Sequence, residues 1–252
     1  MKRYFFLFLF LISSTSTSIA QVLGEFAPSD KPAKEQARIF IRSLEFGYTL
    51  VSLSPRSTNQ FTGSQFNFDE GILSLAIRLD NALIYFDYGK SNTNGETQTL
   101  LAGGARFDVD NYFSSPEATG LKFALPISLI TDIIFASRQQ GASTEDLRLF
   151  SLGIGTGSTL IYNTRSWITL GRAIAFAAFA TQGFGDFSPQ SSGTLTGVTA
   201  GFLADVTAHF PNLVNSFGFA FSYRFRYLFS NFSANQFDYF MRQHSFTAGI
   251  TF

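Results

Sequence analysis

Between Phe217 and Phe229 the chain alternates with a period of two. The odd positions are Phe217, Phe219, Phe221, Tyr223, Phe225 and Tyr227, and the even positions are Gly218, Ala220, Ser222, Arg224 and Arg226. A period of two is that of a β-strand, whose successive side chains leave opposite faces. One face is an unbroken aromatic wall, and the other carries small residues and two arginines. A strand in a soluble sandwich also alternates, but its outward face meets water. Aromatics outward to lipid and polar residues inward to a lumen is the pattern of a transmembrane β-barrel.

Other segments repeat it. Leu121, Phe123, Leu125, Ile127, Leu129, Ile133 and Phe135 oppose Lys122, Ala124, Ser128 and Asp132. Val198, Ala200, Phe202, Ala204, Val206 and Phe210 oppose Thr199, Gly201, Asp205, Thr207 and His209. Leu44, Phe46, Tyr48 and Leu50 oppose Ser43, Glu45, Gly47 and Thr49, and Phe150, Leu152 and Ile154 oppose Ser151, Gly153 and Gly155. Turn signals divide the chain into ten expected strands, at 38–53, 66–79, 82–90, 97–109, 119–136, 146–161, 167–181, 194–210, 215–229 and 240–252. Eight or twelve strands are the alternatives. The fold class is all-β, an antiparallel up-and-down barrel. With the first strand starting in the periplasm, the odd connections (54–65, 91–96, 137–145, 182–193 and 230–239) are expected outside the cell and the even ones in the periplasm, three of them tight and the fourth, 110–118, long for its side.

The N-terminus reads as an export signal. Lys2 and Arg3 precede an apolar run from Tyr4 to Ile12 and a polar stretch ending in Ser18-Ile19-Ala20, which predicts cleavage after Ala20. The apolar run is too short to span a bilayer. Residues 21–37 are polar and read as a periplasmic lead-in to a barrel over 38–252. With no cysteine, disulfides and thiolate metal sites are excluded. Lysine plus arginine equals aspartate plus glutamate at 18 each, so no charge excess invites nucleic acid. Charged residues make up only 14% of the chain while 32 residues are phenylalanine, a poor composition for a wetted surface.

The last nine residues, His244-Ser245-Phe246-Thr247-Ala248-Gly249-Ile250-Thr251-Phe252, resemble the terminal strand of bacterial outer-membrane proteins. That resemblance implies an outer-membrane location. It also implies that Phe246, Ile250 and Phe252 form the signal read by the barrel-assembly machinery. The implied surroundings are outer-membrane lipid and lipopolysaccharide, with an envelope protein as a further partner. It points to a broad class and to no single family.

The chemistry-bearing residues are those with inward parity. Basic members are Arg78, Arg106, Lys122, Arg172, Arg224 and Arg226; acidic members are Glu45, Glu70, Asp87, Asp108, Asp132 and Asp205. The balance predicts a mutually neutralising lumen network, because an unpaired charge in a narrow interior is costly. Strand direction puts Glu45, Arg78, Arg106, Asp108, Lys122 and Asp205 towards the periplasm, and Glu70, Asp87, Asp132, Arg224 and Arg226 towards the exterior. The face of Arg172 is unresolved, since Ile168–Ala180 is apolar on both parities. Tyr85, Tyr88, Tyr223, Tyr227 and Trp167 suit interfacial girdles, although Tyr85 shares the inward parity of Asp87. No HExxH, GxSxG or Walker motif is present, and no catalytic, metal or cofactor site is expected. His244 with Asp238 is the one pair on which a rim or lipid-modifying enzyme could be built. The expected function is a non-enzymatic barrel, either structural and surface-exposed or a narrow small-solute channel. A barrel subunit of an envelope complex is the further alternative.

Overall fold

A computed structural model of the chain describes residues 41–55, 67–93, 96–113, 120–141, 143–164, 166–185, 194–214, 217–232 and 238–252. The expected export signal and periplasmic lead-in lie outside the described residues, as do most of the 54–65 and 182–193 connections.

Ten strands form one closed antiparallel barrel: β1 (Arg42–Pro55), β2 (Phe68–Leu79), β3 (Ala82–Thr93), β4 (Glu96–Tyr112), β5 (Gly120–Gln140), β6 (Ser143–Asn163), β7 (Ile168–Gly185), β8 (Thr194–Val214), β9 (Phe217–Phe232) and β10 (Tyr239–Thr251). Each strand pairs with its sequence neighbours. The ring closes where β1 meets β10, from Ser43↔Thr251 to Pro55↔Tyr239. Closure removes the free edges an open sheet would expose. Among the described residues no helix is long and apolar enough to cross a membrane.

Local chemistry sets the turns. Asp80-Asn81 joins β2 to β3, and Asp80 has a φ of 50°, the left-handed geometry of a two-residue hairpin that Asp and Asn tolerate. Arg42 anchors this turn by an ion pair to Asp80 at 3.2 Å. Gly141 supplies the positive φ of 61° where β5 returns as β6.

The expected connections at 91–96 and 137–145 are corrected. Thr93 pairs with Glu96, Gln140 with Ser143, and Glu96 with Gln140, so both segments are mostly ladder rather than loop. β5 and β6 each run 21 residues, about twice what a bilayer crossing needs. Their upper parts carry polar residues on both faces, and with no apolar face the alternation signal disappears while backbone pairing continues. Likewise β4 continues to Tyr112, so Asp110 belongs to a strand and not to the expected 110–118 connection.

Burial assigns the faces. Residues of the parity of Phe46, Leu73, Phe86, Ile127, Ile154, Phe179, Phe221 and Ile250 point outward and are exposed. On the sector β9-β10-β1-β2, aromatic and aliphatic side chains fill the outer face between two polar rows. The lower row holds Arg42 and Asp80; the upper holds Arg242, Ser52 and Asp69, which face one another across successive ladders. At about 3.3 Å per residue and a tilt of about 40°, the step from Arg42 to Ser52 rises about 25 Å along the barrel axis.

Candidate functional site

The inward side chains stack in tiers. The tier towards the chain-terminal end of the barrel is ionic. Glu45 accepts from Ser43 (2.6 Å) and Thr247 (2.7 Å) and lies 3.8 Å from Arg78. Arg78 reaches Asp205 at 3.7 Å, and Asp205 receives Arg106 at 2.5 Å. Arg106 also bonds Asp108 (2.9 Å), and Asp108 takes Arg172 (2.5 Å), which extends to Asp110 at 2.6 Å. Ser128 and Thr159 donate to Asp108 and Asp110. The result is one alternating chain of acids and bases across the lumen, drawn from β1, β2, β4, β7 and β8. Lys122, on the same end of β5, is also buried.

A second tier lies above it. Arg226 pairs with Asp132, whose Oδ1 also accepts the Tyr85 hydroxyl at 2.5 Å. Asp87 sits 3.7 Å from Arg224 and accepts from Ser74 (2.5 Å), Thr49 (3.3 Å) and Gln243 (3.4 Å). The Arg224 and Arg226 guanidinium carbons lie 4.4 and 5.1 Å from the Tyr85 ring centroid. A desolvated cation over an aromatic face is worth about 2 kcal/mol. Tyr85 is therefore a lumen residue and not a girdle one: its hydroxyl is committed to Asp132 and its ring to two arginines.

Above and beside these tiers the inward side chains are mostly apolar, with buried Gln182 and the half-buried Arg138–Glu96 pair as polar exceptions. Val51, Leu53, Phe68, Ile72, Leu100, Ile134, Leu147, Leu149, Leu228, Phe232, Tyr239 and Met241 belong to one buried cluster. On the β5–β8 side it descends through Ile130, Ile174, Phe176 and Leu203. A cavity lined by Asp132, Ser151, Thr199, Leu228, Ser230 and Phe232 among others measures about 10 Å³, about the room of one water.

Of the expected site residues, Glu45, Arg78, Arg106, Asp108, Arg172 and Asp205 meet in the lower tier, and Asp87, Asp132, Arg224 and Arg226 in the upper. Glu70 joins neither. It is exposed at the rim of β2 and accepts from Ser91 at 2.8 Å. Asp110 and the Arg138–Glu96 pair at 2.7 Å were outside the expected set; extending the even parity of Arg106 and Asp108 by one step finds Asp110. Phe246, Ile250 and Phe252 share the outer face of β10. His244 shares that face, its Nδ1 2.8 Å from the Tyr223 hydroxyl and its ring beside Phe225. Asp238 instead accepts the Phe232 backbone N–H at 3.1 Å, so the pair imagined for an enzyme is divided between different partners. Among the described residues no group of three His, Cys, Asp or Glu could hold a metal ion.

The sequence matches no protein-family model and no curated protein. Among solved structures the chain is similar to the outer-membrane protease OmpT of Escherichia coli, at 11% identity over 86% of this chain and 98% of that one, with a TM-score of 0.49. It is also similar to Ail, the attachment invasion locus protein of Yersinia pestis (13%, 84% and 99%, TM-score 0.30). A third is the translocator domain of the autotransporter NalP from Neisseria meningitidis (10%, 95% and 98%, TM-score 0.30). The chain is a ten-stranded antiparallel barrel, similar to bacterial outer-membrane barrels and assigned by these likenesses to no particular family.

Proposed function

We propose that this chain is an exported bacterial outer-membrane barrel with a closed lumen, a structural or surface-displaying protein without catalytic machinery, and not a diffusion channel. The observation that carries the reading is the stacking of the lumen: two tiers of buried, mutually neutralised charges beneath an apolar tier. An open pore keeps its charges hydrated and its axis clear. Here Asp87, Asp132, Asp205 and Arg226 are at most 3% exposed, and each is held by partners on other strands.

The outer face supports the location. An apolar band of about 25 Å between polar rows is the height of an outer-membrane hydrocarbon core. Trp167, edge-on to Tyr162 at 5.5 Å, and Tyr227 lie near its borders, where amphipathic rings favour headgroups. In this reading the outward Phe246, Ile250 and Phe252 serve the assembly machinery, and lipopolysaccharide and phospholipid cover the band. Nothing in the geometry favours the enzymatic alternative, because His244 lies on the lipid face and is engaged by Tyr223.

Purified protein in planar bilayers is expected to give no sustained conductance. Steady ion-selective current, abolished by Arg224→Ala or Asp132→Ala, would refute the closed lumen. The location has its own test in Phe46→Arg, which places a charge near the middle of the band, where Phe46 is 62% exposed. In lipid it should cost about 2–4 kcal/mol of folding stability. In a soluble barrel the same exposed Phe→Arg change would be neutral or would aid solubility, so unaltered unfolding from vesicles would count against the membrane.

A further inference from the structure

The join between β2 and β3 ends short of the upper rim. The β2–β3 ladder stops at Leu73↔Tyr88. Yet β2 stays paired with β1 up to Phe68, opposite Leu53, and β3 with β4 up to Thr93, opposite Glu96. Residues 68–72 and 89–93 therefore face each other as strand edges laddered on one side only. Among the described residues, side chains alone bridge them. Ser91 donates to Glu70 at the rim, and Ile72 fills the hollow over Gly89, where a Cβ would stand 2.6 Å from Ile72 Cβ. On the outer face the Tyr48 ring covers Gly71, with Cε1 2.5 Å from where a Cβ would be.

Unladdered backbone is costly against hydrocarbon, and the seam starts at Ile72 and Gly71, just below the Asp69 row that bounds the apolar band. Leu73 and Tyr88 are its topmost lipid-facing pair there. Above them the outward residues are Gly71, Asp69, Lys90 and Asn92, and Lys90 has no ion-pair partner among the described residues. Behind the seam stands the apolar tier of Val51, Leu53, Phe68, Ile72 and Leu100. An apolar interior thus adjoins this unladdered join, at the depth where acyl chains give way to headgroups.

From this we infer that the β2–β3 seam is a lateral gate through which the acyl chain of an outer-leaflet lipid enters the apolar tier. The chain displaces Ile72 from Gly89 and lies against Leu53, Phe68 and Leu100, with its headgroup near Lys90. Two glycines at the join leave Ile72 and Tyr48 as the side chains that must swing aside first. Leu53, Phe68 and Leu100 behind them repack around the chain, and the ionic tiers below stay shut. The inference rests on the membrane reading above, but not on whether the lumen passes ions.

Because the chain has no cysteine, a Glu70→Cys/Ser91→Cys variant can be folded into phospholipid vesicles, then oxidised to lock the seam or kept reduced. The probe is palmitic acid bearing a diazirine, with labelled residues mapped by mass spectrometry. In the reduced protein the label should reach Leu53, Phe68 and Leu100. Locking should cut that lumen labelling at least about tenfold, since it removes the binding-competent state, while the outward Leu50 and Leu73 stay labelled. A Ser52→Cys/Asp69→Cys lock, placed across the fully laddered β1–β2 join, should change nothing. Lumen labelling equal in locked and reduced protein, or labelling confined to outward residues in both, would overturn the gate. Heat-modifiable gel migration of the same samples verifies folding, and conductance measured alongside reports separately on the closed lumen.

Discussion

Asp205→Ala is expected to destabilise the barrel by about 3–5 kcal/mol, read as a lower urea midpoint for refolded protein in vesicles. Asp205 is 1% exposed and is the link between Arg78 and Arg106. Removing it leaves Arg78 with only Glu45 at 3.8 Å and Arg106 with only Asp108, two buried guanidinium groups without the carboxylate that joined them. The loss therefore includes their repulsion and their unmet desolvation, and not merely one ion pair. Asp205→Asn, which keeps the shape and removes the charge, should recover only part of the loss. Adding Arg106→Met to Asp205→Ala should recover more, because it deletes one of the stranded charges; the double variant would then be more stable than the single one. A loss below about 1 kcal/mol, the range of solvent-exposed pairs, would mean that water reaches Arg78 and Arg106. That outcome would weaken the closed-lumen reading together with the ion-pair argument.

The strands were legible in the sequence because two solvents act on them. Where one face meets the apolar band and the other a polar tier, alternation is forced, as in Phe217–Tyr227 and Leu121–Phe135. Where either condition fails, the pattern fades. β7 presents Ala173, Ala175 and Ala177 outward and Ile174, Phe176 and Ala178 inward, so both faces are apolar and Arg172 could not be assigned by pattern. Above the band, Ser137–Gln140 has no hydrocarbon to select its outer face and reads as loop although its backbone is paired. Parity also places a charge on the inner face without giving its azimuth. Asp205 lies beside Arg172 and Arg224 in the neighbouring ladders, yet its ion pairs are with Arg78 and Arg106 from the far side of the barrel. Such partners depend on tilt and stagger, which no single segment encodes. The apolar tier is illegible for a related reason: Val51, Leu53, Phe68 and Ile72 sit at strand ends, where inward hydrophobics resemble the start of irregular sequence.

Gly249→Val is expected to cost about 3 kcal/mol or more, at the upper end of overpacking penalties, and to leave much of the protein unfolded after refolding into vesicles. Gly249 faces Glu45 across the β1–β10 join that closes the ring. A Cβ there would collide with the Leu44 carbonyl oxygen and stand 2.6 Å from Glu45 Cα and 2.7 Å from Leu44 C. These are backbone atoms, so no rotamer change relieves the contact and the first and last strands must move apart. Two losses follow from one displacement. The closing ladder weakens where unpaired backbone in lipid is most costly, and the Glu45 carboxylate shifts from Thr247 and Arg78, at the start of the lower ionic tier. Because the barrier begins at Cβ, Gly249→Ala should already show a measurable part of the effect, whereas a valine penalty from side-chain bulk alone would spare alanine. The comparison with Gly183 is direct: a Cβ added there meets nothing within 4 Å, so Gly183→Ala should unfold like the wild type. Should Gly249→Val fold with unchanged stability, the β1–β10 join would have slack of about an ångström, and the ionic tier could not depend on its register.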